Sequence, residues 1–223
     1  MLARIRSSRG AGVVGELLML VIGINIALWF EGKFDDIKDA ETEHQYLRGL
    51  RDDLTADAER LERVIAHNES KIERLTELLP RLPTLAEAPA EVVTAAMFEP
   101  SSYDFFQPSD FTYRSMQESG DFRLLSDDAT KKALLKLARR YREIETLQQN
   151  FMQGLDDAYI PLMMQSFDVA QMRLADPALL DNLTFRNFFV FAIQETEQRT
   201  KQCTDARDQA RALLELIQAQ IQS

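Results

Sequence analysis

Ala11 to Phe30, AGVVGELLMLVIGINIALWF, constrains this chain more than any other stretch, because 20 residues carrying one acid and no base have few places to go. As a helix the run extends about 30 Å at 1.5 Å per residue, the thickness of one hydrocarbon core. The reading is a transmembrane helix over 11–30, a short basic cytoplasmic stub over 1–10, and an extramembrane helical domain over 31–223. Arg4, Arg6 and Arg9 precede the run with no acid before Glu16, whereas only Lys33 and Lys38 stand in the 15 residues after it. Counting basic residues alone favours a cytoplasmic N-terminus. The stretch is longer than a signal-peptide core and lacks a small-residue cleavage site, so the expectation is an uncleaved signal anchor with the C-terminal domain periplasmic.

Within the run, Glu16, Leu20, Gly23 and Ala27 recur at four, three and four residues and therefore share one helix stripe. Small residues one turn apart let a second helix approach, and an acid inside a span asks for a partner. The stripe is a candidate assembly face, for another membrane protein or a second copy. The plainer alternative is that Glu16 reaches the head groups and that Gly23 and Ala27 are ordinary span residues.

Beyond the run the pattern is helical. Leu47, Leu50, Leu54, Leu61, Ile65, Ile72, Leu75 and Leu79 recur at three, four or seven without an intervening proline, which predicts a helix over 33–79 reaching about 70 Å. Pro80, Pro83 and Pro89 end it. Short helices are expected from Pro89 to Phe98 and over 109–119, the latter stopped by Gly120. Between them Tyr103, Phe105, Phe106 and Phe111 either form an exposed recognition patch or plug the end of a bundle. Ser126-Asp127-Asp128 opens a second long helix, with Leu134, Leu137, Tyr141, Ile144, Phe151, Leu155, Ala158 and Leu162 on its seam and Gln148 interrupting it. Pro161 should kink that helix, which runs on towards Leu174. A third, from about Thr184, carries Phe189, Ala192, Thr196, Cys203, Ala206, Ala210, Leu213 and Ile217. The fold class is all-α: an N-terminal transmembrane helix continuing into an antiparallel bundle of three long helices plus short ones.

Alternating directions would bring the end of the second helix back to the bilayer. Leu162, Met163, Met164, Phe185, Phe188, Phe189 and Phe191 would then form a membrane-proximal apolar collar. The alternative is core packing against the base of the first helix.

Chemistry is harder to find. His44 and His67 lie 23 residues apart, and no short-spaced ligand set accompanies them, so no metal is expected. The pairs Asp52-Asp53, Asp127-Asp128 and Asp156-Asp157 diverge by about 100° on a helix and read as solvated or helix-start charge. No phosphate loop or nucleophile motif occurs, so no catalytic residue and no cofactor is expected. Of the chain's 26 basic and 36 acidic residues, 23 and 35 follow position 30, a net charge of −12 that repels nucleic acid. Cys203, the one cysteine, falls on a core stripe and reads as a buried thiol.

The run from Glu16 to Lys33, followed by EHQYLRGLRDDLTAD, resembles a family of uncharacterised bacterial single-span membrane proteins known as a domain of unknown function. Glu16, Gly23 and Ala27 match its span, and Tyr46, Leu47, Leu50, Asp53, Leu54 and Asp57 match the Y-L-x-x-L-x-x-D-L-x-x-D helix that follows. A second block, with Ser119, Gly120, Arg123 and Leu124, is similar to that family's S-x-G-x-[LF]-R-L turn. The resemblance implies a bacterial inner-membrane protein and carries no activity. Together these features lead to the expectation of a membrane-anchored, non-enzymatic module that contacts the lipid bilayer and binds or positions a protein partner, as an accessory subunit or homodimer. The alternative is an extracytoplasmic bundle that senses a small ligand.

Overall fold

A computed structural model describes residues 8–222, with the side chains of residues 8–15, 28, 30 and 32 outside the description. The chain is all-α but for one two-residue hairpin. Helix α1, Ser8–Leu78, is a single rod of 71 residues, so neither Gly32 nor Gly49 breaks it. At 1.5 Å per residue it is about 105 Å long. Every described side chain from Glu16 to Glu41 is exposed, and the first buried one is Leu47. The stretch from Glu16 to Glu41 is therefore an arm standing clear of the bundle. Among the described residues no helix is long and apolar enough to cross a membrane. The expected stub, 1–10, and positions 11–15, Leu28 and Phe30 of the expected span lie wholly or in their side chains outside the described residues.

After α1 the prolines force a tight 3-10 segment, Leu79–Glu87, whose Leu82 and Leu85 are buried. Helix α2, Ala90–Phe98, begins at Pro89 as expected. An irregular stretch over 102–110 then descends alongside α1 to α3, Phe111–Ser119. Gly120 closes α3 at φ 78°, the left-handed conformation that glycine adopts without strain. A Cβ there would meet no atom within 4 Å, so the cost of a side chain is confined to the backbone. Gly120→Ala is expected to lose about 1–2 kcal/mol in urea unfolding, while Gly120→Asn loses less; equal stability of all three proteins would refute this.

Helix α4, Asp128–Gly154, is capped by Asp127 rather than Ser126: the Asp127 carboxylate accepts from the Thr130 amide and hydroxyl, both at 2.7 Å. Ser126 instead donates its N–H to Glu43. Pro161 is accommodated by a π-turn over Leu155–Tyr159, after which α5, Ile160–Ser166, places the proline in its first turn. The helix does not run on to Leu174. It ends in a hairpin that pairs β1, Phe167–Asp168, with β2, Arg173–Leu174. Asp176 caps a 3-10 turn begun by Pro177, and Asn182 accepts from the Phe185 amide to open α6, Leu183–Gln222.

Directions depart from the expected alternation. Because 79–127 returns along α1, α4 starts beside Glu43 and runs parallel to α1, with α6 antiparallel to both. α6 packs extensively on α1 and on α4, whereas α1 and α4 hardly approach each other. Two cores result. The lower one joins Leu47, Leu54 and Leu61 to Leu134, Ile144, Cys203 and Ile217. The upper joins Leu75, Leu82 and Met97 to Phe151, Tyr159, Phe185 and Phe189.

This arrangement corrects the collar. Met163, Phe185, Phe188 and Phe189 are buried in the upper core, with Leu162 and Phe191 packed on its margin. Their neighbours are Leu75 and the α2 segment, at the end of α1 opposite the arm. Met164 alone of the seven is widely exposed. The surplus apolar surface is consumed by α2 and the proline-rich turn, whose packing the helical periodicity of the long segments does not reveal.

Candidate functional site

Where α1 and α4 stand apart, the 105–110 segment and α3 lean over the gap and leave a cleft of about 880 Å³. Its floor is α1, through Leu50, Asp53, Leu54 and Asp57, which recur at three, one and three residues on one face. Leu134, Leu137, Tyr141, Gln148 and Met152 of α4 form one wall, and Phe105, Pro108, Tyr113 and Gln117 form the other. Six carboxylates line it, Asp53, Asp57, Asp110, Glu145, Asp156 and Asp157, against Arg114 and Arg142.

The segment that closes the cleft is held through its backbone. Asp53 accepts from the Thr112 amide at 3.0 Å and Asp57 from the Ser109 amide at 2.7 Å. Gln148 grips Phe106 with both ends of its amide, accepting from its N–H at 2.8 Å and donating to its carbonyl at 3.0 Å. Arg60 donates to the Gln107 carbonyl. Tyr46 donates to Asp121 at 2.8 Å and lies 3.4 Å from the Ser119 hydroxyl. Such an irregular stretch cannot satisfy its own amides, and polar groups on the rigid helices satisfy them instead.

One pair in the cleft is left over. Asp57 is 1% exposed, and its second oxygen, Oδ2, receives no hydrogen bond. The Tyr141 hydroxyl, itself buried, faces the same carboxyl at the margin of hydrogen-bonding geometry and is the donor that acts on it. Arg60 is 4.0 Å from the other oxygen. Burial raises the Asp57 pKa above the ordinary carboxylate value, opposed by the Ser109 amide, Tyr141 and Arg60. Burial and the adjacent Asp57 also raise Tyr141, which keeps its proton.

A second polar cluster sits between the two cores. Lys71 is completely enclosed and donates to the carbonyls of Pro100, at 2.9 Å, and Ser102, at 2.6 Å. Its ammonium lies 4.6 Å from the centroid of Phe151 and 5.8 Å from that of Tyr103. The Arg199 guanidinium stacks 3.6 Å over Tyr103 and donates to Asn68 at 2.5 Å. Aromatic faces thus supplement the Glu99 carboxylate in stabilising these buried cations. Burial, aided by Arg199, lowers Lys71 to about 7, and burial lowers Arg199 to about 10. Cys203 is buried and pushed up to about 11, as befits a core thiol rather than a nucleophile. Among the described residues no group of three or more His, Cys, Asp or Glu could hold a metal ion.

The residues singled out from sequence divide sharply. Glu16, Leu20, Gly23 and Ala27 all face outward on the arm. The two motif blocks meet: Leu50, Asp53, Leu54 and Asp57 line the cleft, Leu47 lies in the core beneath, and Tyr46 ties α1 to the Ser119–Asp121 turn. Arg123 is exposed on that turn. The loop aromatics split: Phe106 is buried, Tyr103 is half-buried, and Phe105 and Phe111 are exposed. Asp53, expected as solvated charge, is instead a tether. In the sequence Tyr141 shows only as an apolar seam residue, and Lys71, Asn68 and Arg199 belong to no motif.

No family model matches the chain, and no curated protein or solved structure matches it significantly. Its own residues are the whole basis for assigning it a role.

Proposed function

We propose that this is a membrane-anchored, non-enzymatic helical module of the bacterial inner membrane, single-pass, that binds or positions a partner beside the bilayer. The observation that carries the reading is the arm of α1. Leu17, Met19, Leu20, Ile22, Ile24 and Ile26 are 52–79% exposed on a helix that no other described element covers. An isolated helix with this much bare apolar surface calls for lipid or protein around it. The outward stripe of Glu16, Leu20, Gly23 and Ala27 supplies a face for a neighbouring helix, from an accessory partner or a second copy. The basic residues at the N-terminus favour a cytoplasmic start and a periplasmic bundle.

Cell fractionation tests this. The full-length chain is expected in the membrane fraction, resistant to carbonate, with one stoichiometric membrane protein or a second copy co-purifying in mild detergent. Ile22→Arg with Ile26→Arg should release it. A wild-type chain that is monodisperse and detergent-independent in the soluble fraction would overturn the proposal. A second reading, a bundle that senses a small ligand, is favoured by the cleft of about 880 Å³.

A further inference from the structure

We propose that the arm of α1 pairs with a helix of a different membrane protein along one face that continues past the apolar run to Ile37, where the partner presents carboxylates to Lys33 and Lys38. This rests on the membrane-anchor reading and names the partner's chemistry. Phe34 is 69% exposed and Ile37 64%, and both lie beyond the run, among Glu31, Lys33, Asp35, Asp36, Lys38 and Asp39. Phe34 falls 18 residues after Glu16, about five turns at 3.6 residues each, and so stands on the same face. From Ala27 the face runs on through Phe34 and Ile37 to Glu41, at intervals of seven, three and four, and each of these residues is exposed.

Lipid does not account for this placement. A bilayer surrounds a crossing helix on every side alike, whereas the segment after the run is two-sided. Phe34 and Ile37 stand together, and Asp35, Asp36 and Asp39 are turned about 100° or more away from Phe34. Apolar side chains so placed are covered by something seated on one side, and a second helix has that shape. The charges select which helix. Lys33 and Lys38 flank the face on its two sides, five residues apart, the spacing at which flanking residues of two parallel helices meet. Two copies of this chain crossing in one direction are parallel, so a second copy would set Lys33 against Lys38 and, on the face itself, Glu41 against Glu41. Glu31 would meet Ile26, five residues before it, and offsets none of this. Like charges at these positions act against self-association, whereas a partner with an acid opposite each lysine and a base opposite Glu41 turns them into attraction.

Photo-crosslinking of the full-length protein, in the membranes of the cells that make it, tests this, with p-benzoylphenylalanine placed singly at Phe34, Ile37, Asp36 or Asp39. All four positions are exposed on the arm, so the label leaves the bundle undisturbed. Phe34 and Ile37 are expected to give an adduct with one other membrane protein, Asp36 and Asp39 little or none, and the crosslinked peptide is expected to carry Asp or Glu within a turn of the attachment point. Lys33→Glu with Lys38→Glu should cut the yield about fivefold, the worth of two exposed ion pairs, while Lys33→Arg with Lys38→Arg keeps it. Equal yields from all four positions, a yield indifferent to the two charge reversals, or no adduct from a chain that sediments with the membranes would overturn the proposal. An adduct of two copies of this chain from Phe34 would replace it with a homodimer. Recovery of the wild-type chain in the soluble fraction would instead overturn the membrane-anchor reading itself.

Discussion

Phe151→Ala is expected to destabilise the bundle by about 3–5 kcal/mol, the range for deleting a buried aromatic side chain. Phe151 is 2% exposed and is the hub of the upper core. Its ring stacks on Tyr103 with centroids 5.0 Å apart and on Phe191 at 6.1 Å, and it meets Phe188 at 6.2 Å. It also supplies a face to the Lys71 ammonium. Truncation would therefore open a cavity and strip one aromatic partner from a buried charge, which places the effect at the upper end of that range. For a chain of this size the loss corresponds to a fall in Tm on the order of 10 °C. Urea unfolding of the wild type, Phe151→Leu and Phe151→Ala measures it. Phe151→Leu should fall between the other two, and a loss below about 1 kcal/mol for Phe151→Ala would show that this core is not closely packed.

The second large effect is on pH dependence. Lys71 is lowered from 10.5 to about 7 in the folded protein. Between those values the unfolded chain binds the proton and the folded chain does not, so stability rises with pH. The gain should amount to about 2 kcal/mol from pH 7 to pH 9, at slopes up to about 1.4 kcal/mol per pH unit. His67, also lowered by burial, adds a rise of the same sign below about pH 7. Cys203, raised to about 11, acts in the opposite sense above its unfolded value of 9. The interval from 7 to 9 thus isolates Lys71. Lys71→Met should flatten the profile there, its net effect on stability being set by the loss of a buried charge against two carbonyls left unpaired. A wild-type profile that is flat or falling over this interval would refute the prediction.

The helical architecture was largely legible, because 3.6-residue periodicity reports which face of a helix is buried. The short elements α2 and α3 were legible for a different reason, the conformational demands of Pro89 and Gly120. What stayed hidden follows from the same physics. Periodicity names a buried face without naming its partner, so the return of 79–127 along α1 could not be read, and with it went the parallel course of α4 and the position of the aromatic collar. The polar sites did leave a trace. On α1 the apolar seam skips from Leu54 to Leu61 and from Ile65 to Ile72, and Asp57 and Asn68 occupy those gaps. On α6 the seam skips from Thr196 to Cys203, and Arg199 fills it. Gln148 interrupts α4 in the same manner. A polar residue at a seam position must be buried and must find something to bind; the gaps rather than the leucines mark two of the tethers, Asp57 and Gln148, and one of the two buried cations, Arg199.

Since α6 is the element on which both α1 and α4 pack, while those two scarcely meet, the helix that comes latest in the sequence joins the earlier ones into a single body. Contacts spanning so much sequence, such as Asn68 with Arg199, form only once the long intervening chain has closed on itself. During synthesis α1 and α4 are both made before the common partner that joins them. Union of α1 with α4 must therefore wait until the whole of α6 has been made.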